Sequence, residues 1–424
     1  MPDKRTIESV LYDQQDELQN KKLLKFCHRR EESLIDMDSP QAQVVIGVRR
    51  SGKSTLCYNA LESSGAKYAY INFDDERLAK ITGDDLNDML EVLYKIYGDF
   101  THLFIDEIQN IDEWYLFVNR LLRRNMRVII TGSNAKLLSG ELATHLTGKN
   151  NKIELYPFSF SEYCAFKDID TSSHTTKAEA FRRAAFDSYI SEGGFPEMLT
   201  IKNKLGYVSE LVDNILKRDI ERRHKIQHTA AFEQMAQHLL NVSPTILSDQ
   251  SIQETFSLKS VHTVKNYINY LRQAYLLVSL QKYSTKSRLR VVGEKIYPVD
   301  VALMNYRLNA LAGKNLGWRM ETIVYLELLR RHRPEGRDVY YFADRSGECD
   351  FLICQGNAAV MAIQVSYDLS DPKTKKRELS GLILASRKTK CSNLLLLTDH
   401  EREDIRISGH DIIVRPVYEW ALSS

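Results

Sequence analysis

No zinc-type spacing and no CxxC pair occurs among the six cysteines, Cys27, Cys57, Cys164, Cys349, Cys354 and Cys391. Thiols scattered like this exclude a disulfide-stapled scaffold and predict reduced, buried side chains in a cytoplasmic protein. Long apolar runs are missing as well. The longest, such as Leu394–Leu397, are far too short to span a bilayer, so no membrane segment is expected. The opening MPDKRTIESVLYDQQDELQ is polar and has no h-region, which predicts no secretory signal. An excess of one charge is lacking too: 58 Lys and Arg face 56 Asp and Glu, a net +2. Contact with nucleic acid would therefore have to come from a local basic patch. Internal repeats and low-complexity tracts are absent. What remains is ordinary soluble composition, in a chain whose 424 residues predict about two to four domains.

The first half alternates strand and helix patterns. QVVIG (43–47), KYAYINFDDERL (67–78), THLFIDEIQN (101–110), MRVIITGSN (126–134) and KIELYPFSFSEY (152–163) read as strands, with helical patterns between the first four. That alternation predicts a parallel α/β sheet. From 160 to 226 the pattern is helical, broken by GGFP at 193–196. From 227 to 300 come short helices and a strand pair, and from 301 to 424 a second α/β unit.

GVRRSGKST (47–55) satisfies G-x-x-x-x-G-K-[ST] between a strand and a helix, the context a phosphate-binding loop needs. Gly47, Val48, Arg49, Arg50, Ser51, Gly52, Lys53, Ser54 and Thr55 would wrap a nucleotide. Backbone N–H groups and the helix N-terminus attract phosphate. Lys53 neutralises the outer phosphates, and Ser54 offers a hydroxyl to Mg²⁺. LFIDE (103–107) supplies the acids: Asp106 for Mg²⁺ and Glu107 to polarise water. One strand later, IITGSNA (129–135) offers Asn134, or second to it Ser133, to hold that water. The same T-G-S-N is also good turn chemistry without a nucleotide. No guanine-reading N-K-x-D follows the sheet.

These segments, with YINFDDERL, FIDEIQN, TGSNAKLL, LTGKNNKIELYPFSFSEY and GGFPE, resemble AAA+ P-loop ATPases that carry a C-terminal DUF4143-type domain. The resemblance covers roughly 25–420. It implies ATP as the nucleotide, Mg²⁺ as its metal, and homo-oligomers as one assembly. It also implies an ATPase core over 1–159, a helical lid over 160–226, a winged helix over 227–300 and a nuclease-like domain over 301–424. The family's arginine before the fifth strand is replaced here by Lys149, a point charge without a planar fork. Arg182 and Arg183 are the other candidates for a trans-acting cation. GGFP resembles a lid-coupling element through Pro196, and it also fits an ordinary helix-ending turn.

Residues 243–280 fit helix–turn–helix–strand. Ile246, Leu247, Ile252 and Phe256 are expected on one apolar face, and Val261, Val264, Ile268 and Leu271 on the next. The following wing carries Lys282, Lys286, Arg288, Arg290 and Lys295 against Glu294. With Lys259, His262, Lys265 and Arg272 it predicts duplex-DNA contacts at Lys265, Lys286, Arg288 and Arg290. The alternative is a spacer in a switch that gates a protein partner. The C-terminal unit resembles the restriction-endonuclease-like fold of PD-(D/E)XK nucleases, with Glu321 and Asp350 at acid positions. Gln364 stands where that fold's second strand acid belongs, and Ser366 where its lysine belongs. That departure predicts no nuclease turnover, unless Glu348 and one of Lys373, Lys375 or Lys376 fill the vacated roles.

Overall fold

The structure is a computed structural model that describes residues 4–21, 26–133, 146–284, 293–306 and 315–423. The chain forms two compact units, one of residues 1–156 with 273–275 and one of the remainder. All six cysteines are buried, as expected.

The first unit is built on five parallel strands: β1 (Ala42–Ile46), β2 (Tyr68–Asn72), β3 (His102–Asp106), β4 (Arg127–Gly132) and β5 (Asn150–Glu154), in the order β2-β3-β4-β1-β5. β1 and β3 are buried at every position. This is why they read as continuous apolar runs rather than as alternating ones. β1 pairs with β4 through Val44 and Ile130, and with β5 through Val44 and Lys152. Helices α1 (Lys4–Lys21), α2 (Lys53–Ser64), α3 (Leu86–Tyr97) and α4 (Trp114–Arg123) complete the unit. Leu56 and Leu61 of α2 pack with Val45, Phe104, Ile129 and Ile153 from four of the strands. With β4 between β1 and β3, the loops that follow these three strands share the carboxyl end of the sheet, where open α/β sheets bind ligands.

The second unit begins with helices Phe160–Phe166, Thr176–Glu192 and Lys204–Asn214. The first is entered by a capping box, in which Ser159 Oγ accepts from Glu162 N–H and Glu162 accepts from Ser159 N–H. Gly193 ends the second helix at φ 85°. The third runs into a π-helical stretch, Ile215–Glu221.

Helices Asp249–Thr255 and Val261–Gln273 follow, joined across 256–260. Ile252, Val264, Ile268 and Leu271 are buried as the apolar pattern requires. Ile246 and Val261 are not, being 45% and 37% exposed. Ile246 belongs to the short strand β6 (Thr245–Ile246) and not to the helix face, while Val261 opens its helix at the surface.

β6 pairs with β8 (Lys295–Pro298), which pairs with β7 (Leu277–Lys282). The boundary expected at 300 falls inside one continuous sheet. β7 pairs in parallel with β9 (Asp338–Asp344) through Gln281 and Tyr340. Beyond β9 lie β10 (Gly347–Gln355), β11 (Ala358–Val365), β12 (Leu394–Thr398), β14 (His410–Pro416) and β13 (Glu403–Ile407), nine strands in all among the described residues. Helix Leu316–His332 precedes β9, and helix Pro372–Thr389 crosses from β11 to its parallel neighbour β12. The result is α/β throughout: a parallel sheet in one unit and a mixed sheet in the other.

Candidate active site

The loop after β1 turns sharply because two glycines permit it. Gly52 takes φ 96° as the residue before α2. Gly47 lies so close to the end of β5 that a Cβ on it would stand 2.1 Å from the Leu155 carbonyl oxygen. Arg29 braces the same loop. It is 7% exposed and donates to Ser51 O at 3.2 Å and to Tyr156 O at 2.7 Å. Lys53 is buried and donates to Val48 O across the loop at 3.0 Å. Arg49 pairs with Asp74 at 3.1 Å. Arg50 is half-buried, and Thr55 is exposed on the first turn of α2.

The acids of 103–107 lie against the loop. Ser54 Oγ donates to Asp106 Oδ1 at 3.0 Å, Thr131 donates to the same oxygen, and the Tyr70 hydroxyl donates to Asp106 Oδ2 at 3.3 Å. Glu107 is held on three sides. Its N–H donates to Thr131 Oγ1 at 3.1 Å, Ser133 Oγ donates to its carboxylate at 2.8 Å, and Gln109 Nε2 donates to the same oxygen. Burial pushes the Glu107 carboxyl up. Lys53, the hydrogen bonds from Gln109 and Ser133, and the charge of Arg49 outweigh it and hold the group below its ordinary value.

Two polar atoms here are buried and, among the described residues, have no hydrogen-bond partner: Ser51 Oγ and Gln109 Oε1. Unsatisfied atoms of this kind are costly in a closed core and natural in a cradle for a polar ligand. A hydroxyl beside a carboxylate is a hard oxygen donor set that suits Mg²⁺. Asn134 lies outside the described residues; among the described ones Ser133, the second choice, donates to the Glu107 carboxylate. Gln109, Thr131 and Arg29 were not singled out by sequence. Gln109 and Thr131 sit within the two motif segments and are found by asking which neighbours can donate to Glu107. Arg29 lies far upstream and has no local signal.

Comparison with known proteins assigns the chain to a family. The AAA domain family matches residues 39–164, a domain of unknown function (DUF8612) matches 183–314, and another (DUF4143) matches 316–419. Uncharacterized protein MJ1544 of Methanocaldococcus jannaschii is 33% identical over 396 residues, 90% of this chain and 88% of its own length. The chain belongs to this family of AAA P-loop proteins with a DUF4143 domain at the C-terminus. An uncharacterized protein of Haemophilus influenzae is 28% identical over 400 residues, 91% of this chain and 95% of its own. Among solved structures, the Walker-type ATPase PABY2304 of Pyrococcus abyssi is similar at 14% identity and a TM-score of 0.45, over 67% of this chain and 96% of that one.

Within the AAA domain, Lys149 donates to Asn119 Oδ1 at 3.2 Å and lines a cleft of about 890 Å³ with Arg120 and Arg123. Arg182 and Arg183 lie on helix Thr176–Glu192. Arg182 donates to the carbonyls of Asp170 and Ser173, and Arg183 pairs with Asp399 at 3.5 Å. Pro196 starts the short 3-10 turn Glu197–Thr200, and Gly194 N–H donates to the buried Asp300 at 2.9 Å.

Lys265 is exposed, 3.8 Å from Asp249. Arg272 pairs with Glu294, so its charge is already met within the fold. Lys286, Arg288 and Arg290 lie outside the described residues. Lys295 departs from its expected place on a basic wing. Strand β8 turns it inward, to 7% exposure, against Glu321, Glu348 and Asp350 of the DUF4143 domain.

That acidic group sits in a cleft of about 760 Å³, also lined by Gln364, Ser366, Lys373, Lys376 and Arg377. Gln364 is engaged at both ends: its Oε1 accepts from Asp350 N–H at 3.2 Å, and its Nε2 donates to Glu378 at 2.7 Å. Ser366 donates to Asp368 O at 3.1 Å. Lys375 is paired with Glu403. Burial and the neighbouring Glu321 push the Asp350 carboxyl well up, against the pull of Lys295. Among the described residues, no three His, Cys, Asp or Glu side chains are arranged to hold a metal ion.

Proposed function

We propose that the chain is a Mg²⁺-dependent ATPase whose nucleotide state is passed to a DNA-associated C-terminal half. The observation that carries the hydrolytic part is the Glu107 carboxylate, kept ionised and aimed by Ser133 and Gln109 beside the Ser54–Asp106 pair. Lys53 and the loop N–H groups bind the triphosphate. Ser54 and Asp106 would hold Mg²⁺, which neutralises charge on the phosphates and leaves them open to attack. Glu107 accepts a proton from the attacking water, and Ser133 and Gln109 fix the direction in which it does so.

The DNA part draws support from the paired helices Asp249–Thr255 and Val261–Gln273, followed by the β7–β8 strand pair, an order of elements that fits a winged helix. Exposed Lys265 supports it as well. Two cations once counted toward that surface, Arg272 and Lys295, are consumed by internal carboxylates. That observation favours a second reading, a switch that gates a protein partner. In both readings the DUF4143 domain cuts no nucleic acid, since Gln364 and Ser366 replace an acid and a lysine. The four-part division into ATPase core, lid, winged helix and nuclease-like domain belongs to the same proposal.

ATP turnover measured with and without duplex DNA across a salt series tests it. DNA binding that weakens with salt, with a log–log slope shallower by ~3 in the triple variant Lys286→Glu, Arg288→Glu, Arg290→Glu, supports the DNA reading. Wild-type protein that binds no DNA at low salt leaves the partner-gating switch. Absence of Mg²⁺-dependent ATP turnover under every condition removes the ATPase reading itself.

A further inference from the structure

Strand β13 lies at one end of the nine-stranded sheet. It pairs with β14 on one side, and among the described residues no strand pairs with its other side. Glu403, Asp404, Arg406 and Ile407 of this strand are exposed. The turn into β14 decides which backbone groups are left over. Ser408 and Gly409 form a two-residue loop at φ 52° and 78°, and two positive values in a row mark a type I′ hairpin. Ile407 and His410 flank the loop and exchange hydrogen bonds. The alternation of an antiparallel ladder repeats that exchange at Ile405–Ile412 and Glu403–Val414. The N–H and C=O groups of Asp404 and Arg406 therefore face the open edge.

An open edge is a template for another strand, and charge placed on it commonly prevents pairing. Here the two edge charges differ in sign and stand two residues apart. A second copy of β13 laid antiparallel must bring its own outward-facing residues opposite these two. Asp404 opposite Asp404, or Arg406 opposite Arg406, sets like charges face to face, which is destabilising. The register between those two sets Asp404 opposite Arg406 of the second copy, and Arg406 opposite its Asp404. It also brings the two Ile405 side chains together at a close, non-hydrogen-bonded pair on the two-fold axis.

The side chains on both faces suit that register. Asp404 is paired with Arg415 at 2.9 Å and Arg406 with Asp411 at 3.5 Å within the hairpin, so dimerisation would extend them into a ladder of alternating charge across both copies. Ile405 and Ile407 share the other face. Ile405 packs against the domain core, while Ile407 is 38% exposed and lines an apolar groove of about 590 Å³ with Leu379, Ile383 and Leu384. In the dimer, Ile405 and Ile407 of both copies fall into one apolar strip beside this groove.

We propose that β13 is a homodimerisation edge: two copies of the chain join their C-terminal sheets through antiparallel β13 strands, in the register that sets Asp404 against Arg406. This goes beyond the nucleotide and DNA readings and depends on neither.

Sedimentation of the full chain without nucleotide, over a range of protein concentrations, tests it. Wild type should dimerise reversibly. Asp404→Arg and Arg406→Asp each put like charges opposite one another twice, and each should weaken the dimer by ~10-fold or more. The double variant Asp404→Arg, Arg406→Asp restores opposite signs and should dimerise like wild type. An equimolar mixture of the two single variants places Arg opposite Asp at both positions and should recover the dimer that neither forms alone. The Asp404 and Arg406 side chains are 71% and 80% exposed, so every variant should fold, as circular dichroism checks. A wild type that stays monomeric up to ~10² µM overturns the proposal and leaves these charges as guards against edge pairing. A dimer that both single variants keep overturns it as well, and so does a mixture that recovers nothing. Loss of ATP turnover in Glu107→Gln bears on the hydrolytic reading alone and leaves this result untouched.

Discussion

Glu107 has an uncomfortable backbone. Its φ of 54° and ψ of 43° are left-handed, which costs a non-glycine residue about 1–2 kcal/mol. The bond from its N–H to Thr131 and the grip of Ser133 and Gln109 on its carboxylate hold it there. Substitutions should separate the roles. On the proposed reading Lys53 is the main cation for the outer phosphates, so Lys53→Ala should no longer bind a fluorescent ATP analogue. Glu107→Gln leaves phosphate binding intact, so the analogue should bind while turnover falls by ~10² or more; equal loss of binding in both variants would refute the division of labour. Ser133→Ala removes one of the bonds that lower the Glu107 carboxyl. A base must be ionised to act, so the acid limb of the rate profile should move to higher pH, read from turnover between pH 4 and 8.

At the scale of elements, the glycines decide where chains may touch. Gly47→Ala would force β1 away from the Leu155 carbonyl at the end of β5, at a cost of about 1–3 kcal/mol. A lower Tm together with lost ATP binding is expected. Gly193→Ala meets Asp300 Oδ1 at 1.9 Å with the backbone at φ 85°, and should destabilise at least as much. The elements that were legible in sequence are those set by local pattern. The five parallel strands, the turn-to-helix of 47–55 and the acids of 103–107 each carry their signal within about ten residues. What sequence did not disclose is set by chain return. Arg29 reaches the loop from more than twenty positions upstream. Ile246 looked like a helix-face residue because apolar spacing alone does not show that two residues pair as a strand. Lys295 looked like surface charge because nothing in KYSTKSRLRVVGEKIYP tells which way β8 turns its side chains; the facing carboxylates do, and they lie some 25 to 55 positions later.

For the molecule as a whole, the buried Asp300 writes itself into the pH dependence of stability. Burial raises its carboxyl to about 6, with the N–H groups of Ala302 and Gly194 and the charges of Arg330 and Arg319 opposing. The native state therefore holds this proton more tightly than the unfolded chain does. Stability from this group falls as pH rises from about 4 to about 6 and is level above that, a difference of about 2–3 kcal/mol. Denaturant titrations of wild type and Asp300→Asn isolate it. The wild-type minus variant difference should decline across that window, and a flat difference would show that Asp300 keeps an ordinary affinity for its proton. The continuous nine-stranded sheet bears on how the molecule can be taken apart. A fragment stopped at residue 300 would keep the helix–turn–helix but lose β9, leaving the outer edge of β7 open at Gln281 and Lys282, an invitation to edge-to-edge association. The same cut would remove all three counter-charges of the Lys295 ammonium. The paired helices are thus not a detachable reading head, and a binding experiment on that excised piece would report the behaviour of a damaged surface.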